Sequence, residues 1–295
     1  MPEKDDAELF RIIQVEVPGE VDLSDGRWTV RGHANRARAV VVVETTERPR
    51  RRFRRVRGVP DDEAVQLAMR LTVVDADPLE ARDPERWLAR ADGAAAVAEA
   101  LELLRQLLHL AAVAAADPDA RIVRPRDLTR ATIAYGTGPE GAYGRWTSGR
   151  PVPVGAAGGT RGRRGSAGTG SDERLAELLS GRDAVLAAEV LTLRARQDLA
   201  AGRVREAALG LRMALEAAIA ELEPWRAAPH LDEAIAGLRL ARPEVADAAA
   251  AAVRGGLDDA QDAVVRAVLQ AVATALARRA GGRRVGERLG PTSSA

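Results

Sequence analysis

Three stretches carry residue types that could do chemistry. Gly136, Gly138 and Gly141, in AYGTGPEGAYGRW, have the spacing that lets a backbone close on a dinucleotide pyrophosphate. That use requires a strand before the glycines and a helix N-terminus directly after them. The run Leu128–Tyr135 has strand composition, but the segment after the glycines has no helical period and is interrupted by Gly144, Gly149, Pro151 and Pro153. The acidic residue that would take the ribose, about 20 positions on, has no counterpart, because Asp172 falls beyond a glycine-rich stretch. A Gly-Pro-Glu-Gly turn between two antiparallel strands accounts for the same residues.

The second stretch, LTVVDADP over 71–78, ends in Asp75-x-Asp77, a spacing that can put two carboxylates on a divalent metal. Folds that use it so continue into alternating strands and helices. This chain does not, and Asp77-Pro78 reads as a turn. The third, RPRRRFRRVR over 48–57, holds seven arginines in ten positions. Arg50, Arg51, Arg52, Arg54, Arg55 and Arg57 could grip phosphates while Phe53 stacks on a base. A charged edge strand, which resists aggregation, explains the same pattern.

Other chemistry is poorly represented. There is no cysteine, and the three histidines, His33, His109 and His230, lie at no metal-ligand spacing. Neither a Gly-Lys-Ser/Thr phosphate loop nor a Gly-x-Ser-x-Gly elbow occurs. The sequence therefore nominates no catalytic residue, no cofactor and no metal. An enzyme assembled from dispersed groups would draw on His33, Asp75, Asp77 or Tyr135.

The elements that must position these residues change character along the chain. Phe10–Val17, Arg27–Gly32 and Arg38–Thr46 read as strands, the last β-branched and nearly continuous, with Arg52–Arg57 as a further edge strand. Asp61 can cap a helix running to about Leu71. Asp83 and Pro84 open another, which leads to a long helix over 94–116. In that helix Glu99, Glu102, Arg105, Gln106 and His109 form one polar stripe and leucines fill the remainder, so it must be covered on most sides. Strand character returns at 128–135, and 143–147 could pair with it. GRWT occurs at 26–29 and at 144–147, which suggests two tryptophans on one sheet face.

Residues 155–171 are rich in glycine and read as a flexible linker. Beyond it the pattern is helical: about 183–201, 203–222, 231–240, 243–254 and 257–280, with Gly202, Pro224 and Gly255-Gly256 as stops. The stretch DLAAGRVREAALGLRMALEAAIAEL loosely resembles HEPN-type bundles and single tetratricopeptide hairpins. The ribonucleases among HEPN proteins separate an Arg from a following His by four to six intervening residues, more than the three, AAP, between Arg226 and His230, so the motif does not carry over.

The expected fold is thus α+β: a disordered tail over 1–9, a domain over 10–154 with an antiparallel or mixed sheet and packed helices, the linker, an all-α bundle over 172–280, and a disordered basic tail over 281–295. An acidic start without an apolar run and the charges inside 94–116 argue against a signal peptide and a membrane span, so a cytoplasmic protein is expected. The arginine, alanine and glycine bias suggests a GC-rich bacterial source. Apolar helical faces without a catalytic constellation point to a non-catalytic interaction or scaffold protein, joined to another copy or a protein partner through its helices. The alternatives are nucleic-acid or polyanion binding through 48–57, and an enzyme whose site is not legible in sequence.

Overall fold

The computed structural model describes residues 8–19, 21, 23–32, 36–49, 65–119, 123–154 and 169–288. The chain forms two compact units, Met1–Ala111 with Ala120–Asp183, and Ala112–Asp119 with Ala184–Ala295. Among the described residues no helix is long and apolar enough to cross a membrane.

The first unit is built on a six-stranded antiparallel sheet. Its strands are β1 (Leu9–Pro18), β2 (Gly26–Arg31), β3 (Ala37–Pro49), β4 (Val65–Pro78), β5 (Arg130–Thr137) and β6 (Ser148–Pro151), in the order β2-β3-β4-β1-β5-β6. The central strand β1 is buried from Ile12 to Pro18, which its apolar run Ile12, Ile13, Val15 and Val17 allows. Residues 65–71, expected in a helix, belong to β4. Leu67, Met69, Leu71 and Val73 fall at every second position, and β4 pairs with β3 from Val65 to Asp75. Asp61, the expected cap of that helix, lies outside the described residues.

Helices α1 (Pro84–Arg90) and α2 (Gly93–Ala115) come after the sheet's long hairpin. Asp83 caps α1 by accepting from the Arg86 amide at 3.0 Å. Arg150 of β6 closes its other end, donating to the Leu88 and Ala91 carbonyls at 3.3 and 2.7 Å. In α2, Leu101, Leu103, Leu104, Leu107 and Leu108 are buried while Glu99, Glu102, Arg105, Gln106 and His109 are exposed, as the stripe predicted. The two GRWT tryptophans do not share a face. Trp28 sits opposite Val41, in line with Val73 and Ile13, whereas Trp146 packs with Ile12, Val74 and Ala134 on the reverse side.

A short helix, α3 (Gly138–Ala142), joins β5 to β6, and α4 (Thr169–Leu179) lies within the first unit, where Asp172 accepts from Ser24 Oγ at 2.9 Å. Most of the glycine-rich stretch before α4 lies outside the described residues.

The second unit packs α5 (Ala187–Ala200), α6 (Val204–Leu222), α7 (Pro229–Leu240), α8 (Arg242–Arg254) and α9 (Asp259–Arg288) around Leu211, Leu215, Ile235, Val265 and Val272. Gly202 turns α5 into α6 at φ 75°, a left-handed conformation that favours glycine. Glu221 of α6 accepts from the Ala187 and Ala188 amides at 3.0 and 2.9 Å and so caps α5. Arg279 of α9 is buried beside Glu189 of α5 at 3.6 Å, with its guanidinium 4.9 Å from the Trp225 ring centre. Helix α9 runs to Arg288, past the glycines at 281–282 where the sequence suggested an end.

Candidate functional site

The glycines at 136–141 do stand between a strand and a helix, but the site for an anion is filled from within. Glu140 reaches back so that its Oε2 accepts from the Thr137 amide at 2.9 Å and from the hydroxyls of Thr147 and Thr137 at 2.8 and 3.3 Å. The Thr137 amide and the Thr147 hydroxyl hold the Glu140 carboxyl below its ordinary range against the opposing effect of burial. Helix α3 is only five residues long, too short for a useful dipole. Two of the three glycines, Gly136 and Gly141, have packing causes. A Cβ on Gly141 would lie 2.7 Å from Val74 Cγ2, and one on Gly136 3.0 Å from the Thr147 amide nitrogen. The expected antiparallel connection is present, but α3 precedes a strand that begins at Ser148 rather than at 143.

Asp75 and Asp77 do not end a turn. They belong to β4 and line a cleft of about 200 Å³ with Arg11, Ile13, Arg38, Ala39, Val73 and the α2 residues Glu99, Ala100 and Leu103. Two irregularities in the sheet lie beside it. Phe10 pairs with Pro78 and Ile12 with Val74, so Arg11 alone stands opposite Asp75, Ala76 and Asp77. On the other side Val30 pairs with Ala39 and Arg31 with Ala37, which leaves Arg38 as an extra residue. In a regular strand Arg38 and Ala39 would face opposite ways. A bulge re-aims side chains, and here both residues line the cleft.

Arg11 holds the cleft's middle. Its Nε donates to Asp75 Oδ2 at 2.6 Å, and its Nη2 donates to Asp75 Oδ1 at 3.2 Å and lies 2.8 Å from Glu99 Oε2. Burial works to lower the Arg11 pKa, but the bonds and charge of Asp75, joined by Glu99, outweigh it and raise the pKa above its usual value. Arg38 and Asp77 have no ion-pair or side-chain hydrogen-bond partner among the described residues. The sequence singled out Asp75 and Asp77 but missed Arg11, Arg38 and Glu99. Arg11 carried a signal: it stands in the phase of Ile13, Val15 and Val17, where an apolar residue is the rule. Among the described residues no three histidine or carboxylate side chains are placed to hold a metal ion.

The remaining candidates are dispersed. Tyr135 is buried, donates to Glu85 Oε1 at 2.8 Å and meets Trp87 edge-on at 6.5 Å. The Glu85 bond, with burial, raises its pKa. His109 is exposed on α2. Arg226 is engaged by Asp232 at 2.6 Å and by Glu223 at 3.5 Å. His33 and the segment Arg50, Arg51, Arg52, Phe53, Arg54, Arg55 and Arg57 lie outside the described residues. In the second unit α6 exposes Leu209 and Met213, one turn apart, on the side opposite its core residues Leu211, Leu215 and Leu222. Comparison with protein-family models, with curated proteins and with solved structures finds no match to this chain.

Proposed function

We propose that the protein is a non-catalytic interaction protein whose helical unit associates with a second copy through α6. The observation that carries this reading is a helix apolar on two sides. Ala207, Ala208, Leu211, Ala214, Leu215, Ala218, Ile219 and Leu222 face the core, while Leu209 and Met213 are 42% and 61% exposed on the outside. An antiparallel copy sets each chain's Leu209 against the other's Met213, the self-complementary contact that a two-fold interface requires. The flanking Arg205 and Glu216 are held within the chain, by the Ala252 carbonyl at 2.9 Å and by Arg242 at 2.5 Å.

Burying what remains exposed of four such side chains releases roughly 3–6 kcal/mol, against an association cost of at least about 4 kcal/mol. The surplus is at most about 2 kcal/mol, so the pair is weak, with a dissociation constant in the millimolar range or above. Sedimentation equilibrium of the full chain at concentrations up to about 1 mM tests it. The expected result is a reversible dimer that Leu209→Glu with Met213→Glu abolishes. A wild-type chain monomeric throughout, or a dimer indifferent to both changes, overturns it.

A second reading, nucleic-acid or polyanion binding by the Arg50–Arg57 segment, is favoured by where the chain enters and leaves it. Pro49 and Val65 are the last pair of the β3–β4 ladder, three pairs beyond Ala68, where β1 stops pairing. The described residues on either side of the segment thus meet at the outer end of the longest hairpin. If about four of them engage duplex phosphates, log affinity should fall against log salt with a slope close to −4. Replacing Arg51, Arg52, Arg54 and Arg55 by Ser should then remove binding. Retained affinity in that variant sinks this reading.

A further inference from the structure

We propose that the cleft between β1, β3, β4 and α2 binds a small zwitterion of the amino-acid class, one ammonium and one carboxylate on a short aliphatic stem. This proposal is independent of the helical unit. Size restricts the ligand. A cleft of about 200 Å³ has the volume of six or seven waters at about 30 Å³ each, below the 300–1,000 Å³ or so that drug-sized ligands and cofactors occupy. The cleft would not enclose a whole nucleotide, whereas a molecule of amino-acid size fits within it.

Charge restricts it further. Arg11 is neutralised within the protein by Asp75 and Glu99. Arg38 and Asp77 remain, opposite in sign, on neighbouring antiparallel strands where Ala39 pairs with Asp75. Close in register, they nevertheless form no ion pair with each other or with any other described residue. The bulge at Arg38 and the irregularity across 75–77 set both residues on the wall of one cavity. A molecule carrying both charges satisfies both groups at once, its carboxylate on the Arg38 guanidinium and its ammonium on Asp77. Three carboxylates against two guanidiniums leave the cleft one negative charge in excess, which disfavours phosphate and other anions. Ile13, Val73 and Leu103 line it too and give an aliphatic stem its contacts.

Calorimetric titration of the full chain with the L-α-amino acids, together with isobutylamine and isovalerate as the amine and acid counterparts of L-valine, tests the proposal. At least one amino acid should bind with a dissociation constant below about 1 mM. The amine and the acid should each bind at least about tenfold more weakly than L-valine, as should the best amino acid to Asp77→Asn and to Arg38→Gln, a loss of about 1.4 kcal/mol per tenfold. Both substitutions lie at exposed positions, so the unfolding midpoint should stay at the wild-type value. The proposal is overturned if no amino acid binds, if the amine binds as well as the amino acid, or if both variants retain wild-type affinity.

Discussion

Replacing Gly141 by Ala separates a packing glycine from a ligand-cradling one. The added Cβ would stand 2.7 and 3.3 Å from the two Val74 methyls and 3.2 Å from Ile12 Cδ1. Ordinary carbon contacts are about 3.5–4.0 Å, so the sheet and α3 must part by the better part of an ångström. Overpacking of this kind costs about 1–3 kcal/mol. For a unit of this size each kcal/mol shifts the midpoint by about 2–4 °C, which places the expected fall at about 2–12 °C. Gly138→Ala is the control. Its Cβ would meet only the Phe10 ring, at 3.6 and 3.8 Å, in ordinary contact, and no gain beyond a fraction of a kcal/mol from helix propensity is expected. Tryptophan fluorescence during thermal unfolding reads the difference, because Trp28, Trp87 and Trp146 all lie in the first unit. Equal midpoints for the two variants would refute the packing account. So would stabilisation of the wild type by millimolar NAD or ATP that Gly138→Ala loses.

Glu140 has a folded pKa below its unfolded one, so its contribution to stability is complete above the unfolded value and disappears as pH falls through the folded value. Acid unfolding of Glu140→Gln should therefore converge with wild type only at the acid end. Tyr135 is shifted the other way by Glu85. The stability it contributes is present below the ordinary tyrosine range and is lost as pH rises through the elevated pKa, so Tyr135→Phe should flatten the alkaline limb of the curve. Arg279→Met leaves the buried Glu189 carboxylate facing a methionine and should cost about 3–5 kcal/mol by denaturant unfolding, with most of it recovered when Glu189→Gln is added. Leu211→Ala empties a fully buried position in the helical core and should cost about 2–5 kcal/mol.

The legible parts of the fold share a physical cause. Strands β1 and β3 could be read because β-branched runs have little else to become, and α2 because its polar stripe is narrow and periodic. The mistaken helix at 61–71 has a cause too. Val65, Ala68 and Leu71 or Thr72 recur at three or four residues and imitate a helix, while the same segment also alternates with period two. Propensity could not choose between the two patterns. Pairing with Thr45–Pro49 on one side and Val15–Pro18 on the other does so, and neither partner is visible from within the segment. The repeated tryptophans failed similarly. Four identical letters carried no information about register, and Trp146 reaches the sheet from a turn rather than a strand.

The cleft was half legible, and the missing half concerns geometry rather than residue type. Asp75 and Asp77 attract notice as a pair of carboxylates, a pattern that points to a metal. The structure sets a guanidinium between two carboxylates instead, because Arg11 shares the inward phase of Ile13 and lines the same face of the sheet. A cation so placed requires compensation. Asp75 supplies it from the neighbouring strand, and Glu99 supplies it from a helix whose other charges face solvent. That internal settlement accounts for Arg11, Asp75 and Glu99 as structure. It does not account for Arg38 and Asp77, which the two sheet irregularities set on the same cavity wall without joining them. Both are exposed, so water satisfies each charge; what the irregularities add is their common placement on one cavity wall, where a ligand carrying both signs meets them together.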